Sequence, residues 1–275
     1  MFQQKLSSLE LMYLAAKCGA KKIFGVPDHF SLLEPEEKTT VRQEIIASLL
    51  DKEAIRMDLD GKLSVSPNAT ELITICTDCE LMLSFNHSSC EGQQIEIAIW
   101  KHGDVFLLAD IANDLYSFHH TDLDGITALF DEVNLHDSPM SQDGSTAIPQ
   151  IALTKVQRYV TKHNTHAAVQ FLRQYGAEEQ MAERITAMLA EQVDIYALML
   201  CMPDIPARRL AFLSDSTGCI KMGGTVENFK SCVEFSCVSA ADIRSELQEI
   251  QSCISQSVSA ESKTSIFGKL FGGRR

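Results

Sequence analysis

Two segments of the sequence, 117 residues apart, decide the fold: FHHTDLDGITALFDEV at residues 118–133 and FSCVSAADIRSELQEI at residues 235–250. Each begins with an apolar strand, continues through a helix-capping residue and ends with apolar side chains at helical spacing. The matching pairs are Phe118 with Phe235, Ile126 with Ile243, Phe130 with Leu247 and Val133 with Ile250. This constant spacing indicates an internal duplication, with chance similarity between two α+β segments as the alternative.

Working outward from these segments, the same order of elements is predicted in both parts of the chain. The first part predicts a helix over 71–80 and strands over 81–85, 95–100, 105–109 and 115–120. The second part predicts a helix over 178–192 and strands over 195–202, 210–213, 219–222 and 233–238. Pairing between exposed strands of the two halves removes edges that each half would otherwise expose. We therefore predict an α+β fold in which a pseudo-two-fold duplicated unit forms a central antiparallel β-sheet.

The duplication also sets the expected domain organisation. Residues 1–255 are predicted to form a single domain made of two half-repeats, about 1–135 and 150–255. The segment between them, 136–147, is rich in Ser, Pro and Gly and is predicted to be a flexible linker. The last residues, 256–275, are predicted to form a flexible C-terminal tail.

The N-terminal region offers a second functional hypothesis. Two helices are predicted in the first 50 residues, and the alternating stretch 55–65 around Asp60-Gly61 predicts a β-hairpin. A helix followed by a hairpin is also the arrangement of a winged-helix regulatory protein. A DNA-binding wing needs basic residues to contact phosphate, and here Arg56 and Lys62 stand among acidic residues. An acidic regulatory protein with a winged-helix-like N-terminal region is therefore the alternative function.

Charge and hydropathy restrict the location and the partners. The 275 residues carry 24 Lys and Arg against 37 Asp and Glu, a formal charge of −13, and almost all of it lies in residues 1–145, whose net charge is −14. Such a half could attract a basic partner, or the acidic loops could simply keep the protein soluble. No apolar run approaches the roughly 20 residues of a membrane helix, and the first residues lack the apolar region of a signal peptide. We expect a cytoplasmic protein with no nucleic-acid partner and no stable membrane insertion.

Nine cysteines raise the question of a metal site. Cys76 and Cys79 are followed by His87 and Cys90, a spacing that could hold zinc. The first pair falls within a predicted helix, however, and a predicted strand separates the two pairs, so buried thiols are favoured over metal ligands. The sequence contains no phosphate-binding loop, dinucleotide fingerprint or nucleophile elbow. We therefore predict no metal, no cofactor, no catalytic residues and no enzymatic activity.

The N-terminal helix and the following hairpin resemble a known family. The helix LELMYLAAKCG at residues 9–19, and the segment of residues 49–61 with Leu49, Lys52, Ile55 and Asp60-Gly61, are similar to the EspG family. These are cytosolic chaperones of type VII secretion systems, here in a form outside the mycobacteria. The resemblance implies a central sheet flanked by helical bundles. It also implies a non-enzymatic chaperone that binds a secreted helical-hairpin protein and passes it to a component of the secretion machinery.

The resemblance also implies where that protein would bind. In the family, the loop between the second and third sheet strands helps to hold the substrate. The matching positions in the first half are Asp110, Ile111, Asn113 and Tyr116. The second-half equivalent is the loop over 223–231, with Gly223, Gly224, Val226 and Phe229. The second helical bundle contributes Tyr159, Phe171 and Tyr175, and each apolar member of these sets could instead be a core residue.

Overall fold

A computed structural model gives the structure of the chain. It describes residues 4–136, 144–190, 193–203, 205–216, 218–227 and 230–271, and it leaves the side chains of residues 226, 227, 230 and 258–271 undescribed. Among the described helices, none is both long and apolar enough to cross a bilayer.

The described part of the first half contains four α-helices and seven strands, with a short 3₁₀ helix at Phe30–Leu32. The helices are Ser8–Lys17 (α1), Pro35–Asp51 (α2), Pro67–Thr77 (α3) and Leu123–Asp131 (α4). The strands are Leu6–Ser7 (β1), Ile55–Met57 (β2), Leu63–Val65 (β3), Leu81–Ser88 (β4), Gln94–His102 (β5), Val105–Ala112 (β6) and Leu115–Thr121 (β7). Ser7 begins α1 with a reciprocal capping box with Glu10, Ser66 caps α3, and Asp122 caps α4.

The second half repeats most of this order. Its helices are Gln150–Thr161 (α5), Thr165–Arg173 (α6), Glu179–Ala190 (α7) and Ala240–Phe271 (α8). Its strands are Ser145–Pro149 (β8), Asp194–Met202 (β9), Ile205–Asp215 (β10), Gly218–Glu227 (β11) and Lys230–Val238 (β12).

The two halves share one sheet, which confirms the predicted α+β fold. Within the described residues it has ten strands in the order β1-β7-β6-β5-β4-β9-β10-β11-β12-β8, and each neighbouring pair is antiparallel. The halves meet at β4 and β9, where Leu83 lies opposite Leu200. The order on one side of this junction mirrors the order on the other, so a pseudo-two-fold axis passes through the centre of the sheet.

The registers show how closely the halves correspond. The pair Ile99–Leu108 of β5 and β6 recurs 113 residues later as Phe212–Lys221. Beyond the next hairpin the offset is 117, since Tyr116 of β7 corresponds to Val233 of β12. At the sheet edges their partners Leu6 and Ile148 also correspond, although these lie 142 residues apart in the chain. The four-residue increase lies in the hairpin between β11 and β12, which is therefore longer than its first-half equivalent.

Three clusters of buried side chains form the core, one on one face of the sheet and two on the other. Helices α4 and α8 cover one face of the sheet with Ile126, Phe130, Ile243 and Leu247, which are buried at the positions that the duplication predicts. On the other face, α1–α3 cover the first half and α5–α7 cover the second. The two helical bundles expected from the resemblance are therefore present on the same face.

Several predicted boundaries differ from the structure. Leu6 and Ser7 form the short strand β1 ahead of the first helix, which the pattern does not predict, and α3 begins at Pro67 rather than at residue 71 because Ser66 caps it. Most of the predicted linker lies outside the described residues, but its last residues form the start of β8, which pairs with β12. The backbone is helical through Phe271, which includes most of the segment predicted as a tail. The predicted hairpin at Asp60-Gly61 is present as β2 and β3.

Candidate protein-binding surface

The first-half candidates lie on a short, tightly held hairpin. Asp110 and Ile111 belong to β6, and Asn113 and Asp114 form the two-residue turn, both with left-handed φ angles of 51° and 62°. Two consecutive left-handed residues are the requirement of a tight turn between twisted strands. Tyr116, in contrast, is buried against the first-half core, and burial raises the pKa of its hydroxyl. It is a core residue and is not available to a partner.

Among the second-half candidates, Gly223, Gly224 and Val226 form strand rather than the loop that the sequence predicts. Gly223 and Gly224 pair with Glu234 and Val233 within the ladder of β11 and β12. Both glycines are exposed, and a Cβ atom added at either would meet no atom within 4 Å. Glycine at such positions leaves the backbone bare, which permits the close approach of another chain.

The tip of this hairpin extends farther than its first-half equivalent. The ladder continues past the position equivalent to Ala112–Leu115 through two further pairs, Val226–Ser231 and Glu227–Lys230. At about 3.4 Å per residue, this adds roughly 7 Å of strand. The side chain of Val226, and Phe229 as a whole, lie outside the described residues.

The two hairpins are far apart. Because β4 and β9 are antiparallel, equivalent hairpins point in opposite directions, and β7 and β12 lie toward opposite edges of the sheet. The first-half and second-half candidates therefore cannot contact one small partner site together. A single site must be built in one half.

The structure does bring together the three aromatic candidates of the second bundle. The ring of Phe171, on α6, lies 5.9 Å from that of Tyr159 on α5 and 5.3 Å from that of Tyr175, both with edge-to-face geometry. The ammonium group of Lys155 lies 4.5 Å from the centre of the Phe171 ring. Tyr159 and Phe171 are half-buried, and Tyr175 is 40% exposed. Edge-to-face pairs of this kind stabilise one another beyond their simple burial.

One exposed aliphatic side chain extends this cluster along α5. Ile151 is 83% exposed and precedes Lys155 by four residues, which places both on one side of the helix. We call the set of Ile151, Lys155, Tyr159, Phe171 and Tyr175 the α5–α6 surface. A shallow groove of about 440 Å³ at the start of α5 is lined by Ile151, Thr154 and Ser231. Because Ser231 belongs to β12 and pairs with Val226, this groove connects the α5–α6 surface to the outer end of the long hairpin.

A comparison of the halves explains why this surface is uncovered. In the first half, the residues 18–34 between α1 and α2 fold back over the bundle, where Ile23 and Val26 are buried and Phe30 packs against the core. Strands β2 and β3 are also inserted between α2 and α3. In the second half, only residues 162–164 separate α5 from α6. The second bundle lacks such a connection, whereas in the first half this connection packs beside α1 and α2 and leaves a depression of about 500 Å³ that includes Tyr13 and Phe30.

A second partly open region lies between the two bundles, on the central strands. Asn86, Ser88, Ile195 and Ala197 stay partly exposed there, with Ile195 at 40%, around a depression of about 220 Å³. The sequence analysis did not identify it. The available signal was the small polar residues at alternate positions of β4, where a doubly covered strand would carry apolar side chains.

The four residues considered for zinc do not meet. Cys76 and Cys79 precede β4, whereas His87 and Cys90 lie at and beyond its other end, roughly 23 Å away at about 3.3 Å per residue. His87 stacks on Tyr196, with ring centres 4.3 Å apart. In the part of the chain that the structure describes, no group of three or more His, Cys, Asp or Glu side chains could hold a metal ion.

Comparisons with known proteins give a distant likeness to solved structures. Neither a scan of family models nor a search of curated proteins finds a match to this chain. Among solved structures, one match is the Mycobacterium tuberculosis type VII secretion system chaperone EspG5 in complex with the PE25-PPE41 dimer. The alignment covers 86% of this chain and 91% of that chain, with 10% sequence identity and a TM-score of 0.43.

Proposed function

We propose that this protein is a non-enzymatic cytoplasmic chaperone or adaptor that binds a secreted helical-hairpin protein for type VII secretion. The observation that carries the proposal is the α5–α6 surface, a cluster of aromatic and aliphatic side chains with no connecting segment of its own packed beside it, unlike the equivalent place in the first half. A groove or stripe between two helices is a common recognition site for an amphipathic helix. Exposed apolar patches rimmed by polar residues mark interaction sites.

The fold suits this role because it holds the surface rigidly. Val156 of α5 and Leu172 of α6 are fully buried, and so is Ile148 of β8. These contacts fix the two helices against the sheet, so little side-chain ordering remains to oppose binding. Two half-buried rings and an exposed tyrosine provide the kind of aromatic anchors that dominate interface energies.

The sequence resemblance to the EspG family supports the proposal through the scaffold. The residues that carry it include Leu11, Leu14 and Leu49, and all three are buried in the first-half bundle. The resemblance therefore concerns the packing of the first half, and the second half supplies the surface. In this proposal the bound protein is kept soluble and is then released to a component of the secretion machinery.

Co-expression tests the proposal directly. The chain is produced with each small secreted helical-hairpin protein encoded beside its gene, and complexes are detected by affinity capture and size-exclusion chromatography. We expect a stable complex with at least one of them. The double variant Ile151→Ser and Tyr175→Ala should weaken that complex by at least about tenfold, because both side chains are exposed in the free protein.

A matched variant controls for the general loss of exposed apolar surface. Leu59→Ser removes a fully exposed leucine from the turn between β2 and β3, in the other half of the protein. It should leave the complex intact. No complex with any of the neighbouring proteins, or equal weakening by both variants, would contradict the proposal.

A further inference from the structure

The second bundle has an unusual distribution of charge. Residues 144–177 contain no Asp or Glu, although the chain carries 37 acidic residues in total. The same stretch contains the basic residues Lys155, Arg158, Lys162 and Arg173, and all four are exposed. These residues give the bundle a locally positive surface on a protein whose net charge is −13.

Of these four cationic side chains, only Arg173 forms an ion pair among the described residues. Arg173 lies 3.3 Å from Glu179 at the start of α7. Lys155 contacts the rings of Tyr159 and Phe171. Across the residues that the structure describes, no carboxylate pairs with Lys155, Arg158 or Lys162.

The equivalent helices of the first half show that the fold does not require this charge. Helices α1 and α2 and their connection carry seven acidic and five basic residues over 8–51. There the cationic Lys52 forms an ion pair with the buried Glu10. The excess of positive charge is therefore specific to α5 and α6, since α7 of the same bundle carries Glu179 and Glu183, and it coincides with the aromatic cluster.

We propose that the α5–α6 surface binds an acidic amphipathic helix of its partner. The apolar side of that helix packs on Ile151, Phe171 and Tyr175, and its carboxylates pair with Lys155, Arg158 and Lys162. The proposal deepens the proposed function and depends on it for the secreted origin of the partner, whereas the acidic chemistry depends on the charges and rings alone.

Lys155 lies where the apolar contacts and the charged contacts of the bound helix would meet. Its ammonium group lies 4.5 Å from the Phe171 ring centre and yet the residue is exposed. A carboxylate can therefore pair with Lys155 while a neighbouring apolar side chain of the same helix lies on the ring. Elsewhere the acidic protein repels such a partner, so the field directs it to this bundle and away from other surfaces.

The test uses two designed peptides of about 20 residues, long enough to form helix in isolation. Both have the same apolar face of Leu and Phe, but one has Glu and the other has Lys on its polar face. Binding to the full-length chain is measured by fluorescence anisotropy. We expect the acidic peptide to bind at least about tenfold more tightly than the basic one, with affinity that falls as salt increases.

Charge reversal identifies the site. Lys155→Glu should lower the affinity for the acidic peptide by at least about tenfold and raise the affinity for the basic peptide. Lys155→Arg should retain binding of the acidic peptide. Lys62→Glu reverses an exposed charge in the turn between β2 and β3 and should have no effect beyond about twofold. Circular dichroism on each variant confirms that the fold is intact.

Several outcomes would overturn the proposal. They are equal or tighter binding of the basic peptide, unchanged binding by Lys155→Glu, or tighter binding of an oligothymidylate at the same site. Concentration-dependent dimerisation abolished by Lys155→Glu would also overturn it, since a second copy would then be the occupant. If the acidic peptide binds as expected but no secreted protein does, only the proposed function fails. If a secreted protein binds through a basic helix, only the present inference fails.

Discussion

The hydroxyl of Ser8 donates a hydrogen bond of 2.8 Å to the carboxylate of Asp114, and this contact fastens the short hairpin of the first half to the beginning of α1. The corresponding hairpin of the second half continues two residue pairs beyond the equivalent position. The same fold therefore holds one hairpin against a helix and extends the other past it. The longer hairpin lies beside the exposed α5–α6 surface, which is the basis for placing the binding surface in the second half.

Replacing Asp114 should destabilise the protein modestly. Asp114→Ala removes the acceptor for Ser8. It also places alanine, which tolerates left-handed φ less well than Asp or Asn, at a φ of 62°. We expect a loss of about 1–2 kcal/mol in the free energy of unfolding, measured by urea denaturation. Asp114→Asn keeps an acceptor and tolerates this conformation, so it should lose less than half as much. Equal losses in both variants would show that the Ser8 contact and the turn conformation do not set the stability here.

Glu10 should be a strong contributor to stability. It is buried, and both of its carboxylate oxygens lie 2.7 Å from the Lys52 ammonium. Glu10→Gln leaves that ammonium without its counter-charge and should cost about 2–4 kcal/mol by urea denaturation. Glu44→Gln, on the exposed side of α2, is the matched control and should change the stability by less than about 0.5 kcal/mol. A small change in the free energy of unfolding for Glu10→Gln would contradict this expectation, since water would then solvate the Lys52 ammonium well enough without its counter-charge.

The Glu10 contribution should depend on pH with a defined sign. Burial alone would raise the pKa of this carboxyl, but hydrogen bonds from Lys52, Ser48 and the Ser7 backbone outweigh burial and hold it below the usual value. A carboxyl whose pKa is lower in the folded state stabilises the protein fully above its unfolded pKa, near 4.3. The stability difference between wild type and Glu10→Gln should therefore be constant near neutral pH. It should shrink as the pH falls below about 4, and a difference that grows with acid would contradict the assignment.

The edge strand β8 should contribute as much to the stability of the fold as a central strand. Ile148 is fully buried and lies opposite Val233, in the position that Leu6 occupies in the first half. Ile148→Ala should cost about 2–4 kcal/mol in the free energy of unfolding through lost burial and a residual cavity. Ile195→Ala, at a half-exposed position of β9, should cost less than about 1 kcal/mol. Similar costs at the two sites would argue against the burial of β8.

Separating the halves should abolish folding of each. A cut between residues 143 and 144 leaves β4 and β9 as long unpaired edges and exposes apolar residues such as Leu83 and Leu200. We expect each fragment alone to aggregate or remain unfolded by circular dichroism. Co-expressed fragments should form a stable heterodimer. Independent cooperative unfolding of either fragment would show that the half-repeats are separate domains.

Cysteine reactivity should report burial. Burial raises the pKa of the Cys79 thiol to about 11 and raises that of Cys76 well above its ordinary value, so both are protonated near pH 8. Cys90 is exposed. Iodoacetamide at pH 8 should therefore modify Cys90 first and leave Cys76 unmodified, as followed by peptide mass spectrometry. Protein in urea, where all nine thiols should react, is the control, and early modification of native Cys76 would contradict its buried position.

Some parts of the candidate site could be predicted from the sequence and others could not. Tyr159 and Phe171 lie on separate predicted helical positions, and the structure brings their rings and that of Tyr175 into contact. The family resemblance places Tyr116 just after the substrate-holding loop, yet Tyr116 is buried. A single sequence does not state which side of a strand faces a helix, because that depends on the register with β1 at the sheet edge.

The sequence by itself determined the duplication and hence the antiparallel sheet. Apolar residues at matched spacing, from Phe118 and Phe235 to Phe130 and Leu247, require equivalent strands and helices with equivalent buried sides. Hydrophobic periodicity is a local property of the chain, so it can be read from neighbouring residues.

Only the tertiary structure decided which half presents a binding surface. The basic α5–α6 surface depends on the three-residue connection between α5 and α6, where the first half instead packs residues 18–34 against its bundle. Whether an aromatic ring is covered depends on contacts between residues far apart in the chain. The sequence fixes which side chains are apolar, and long-range packing decides which of them remain exposed to a partner.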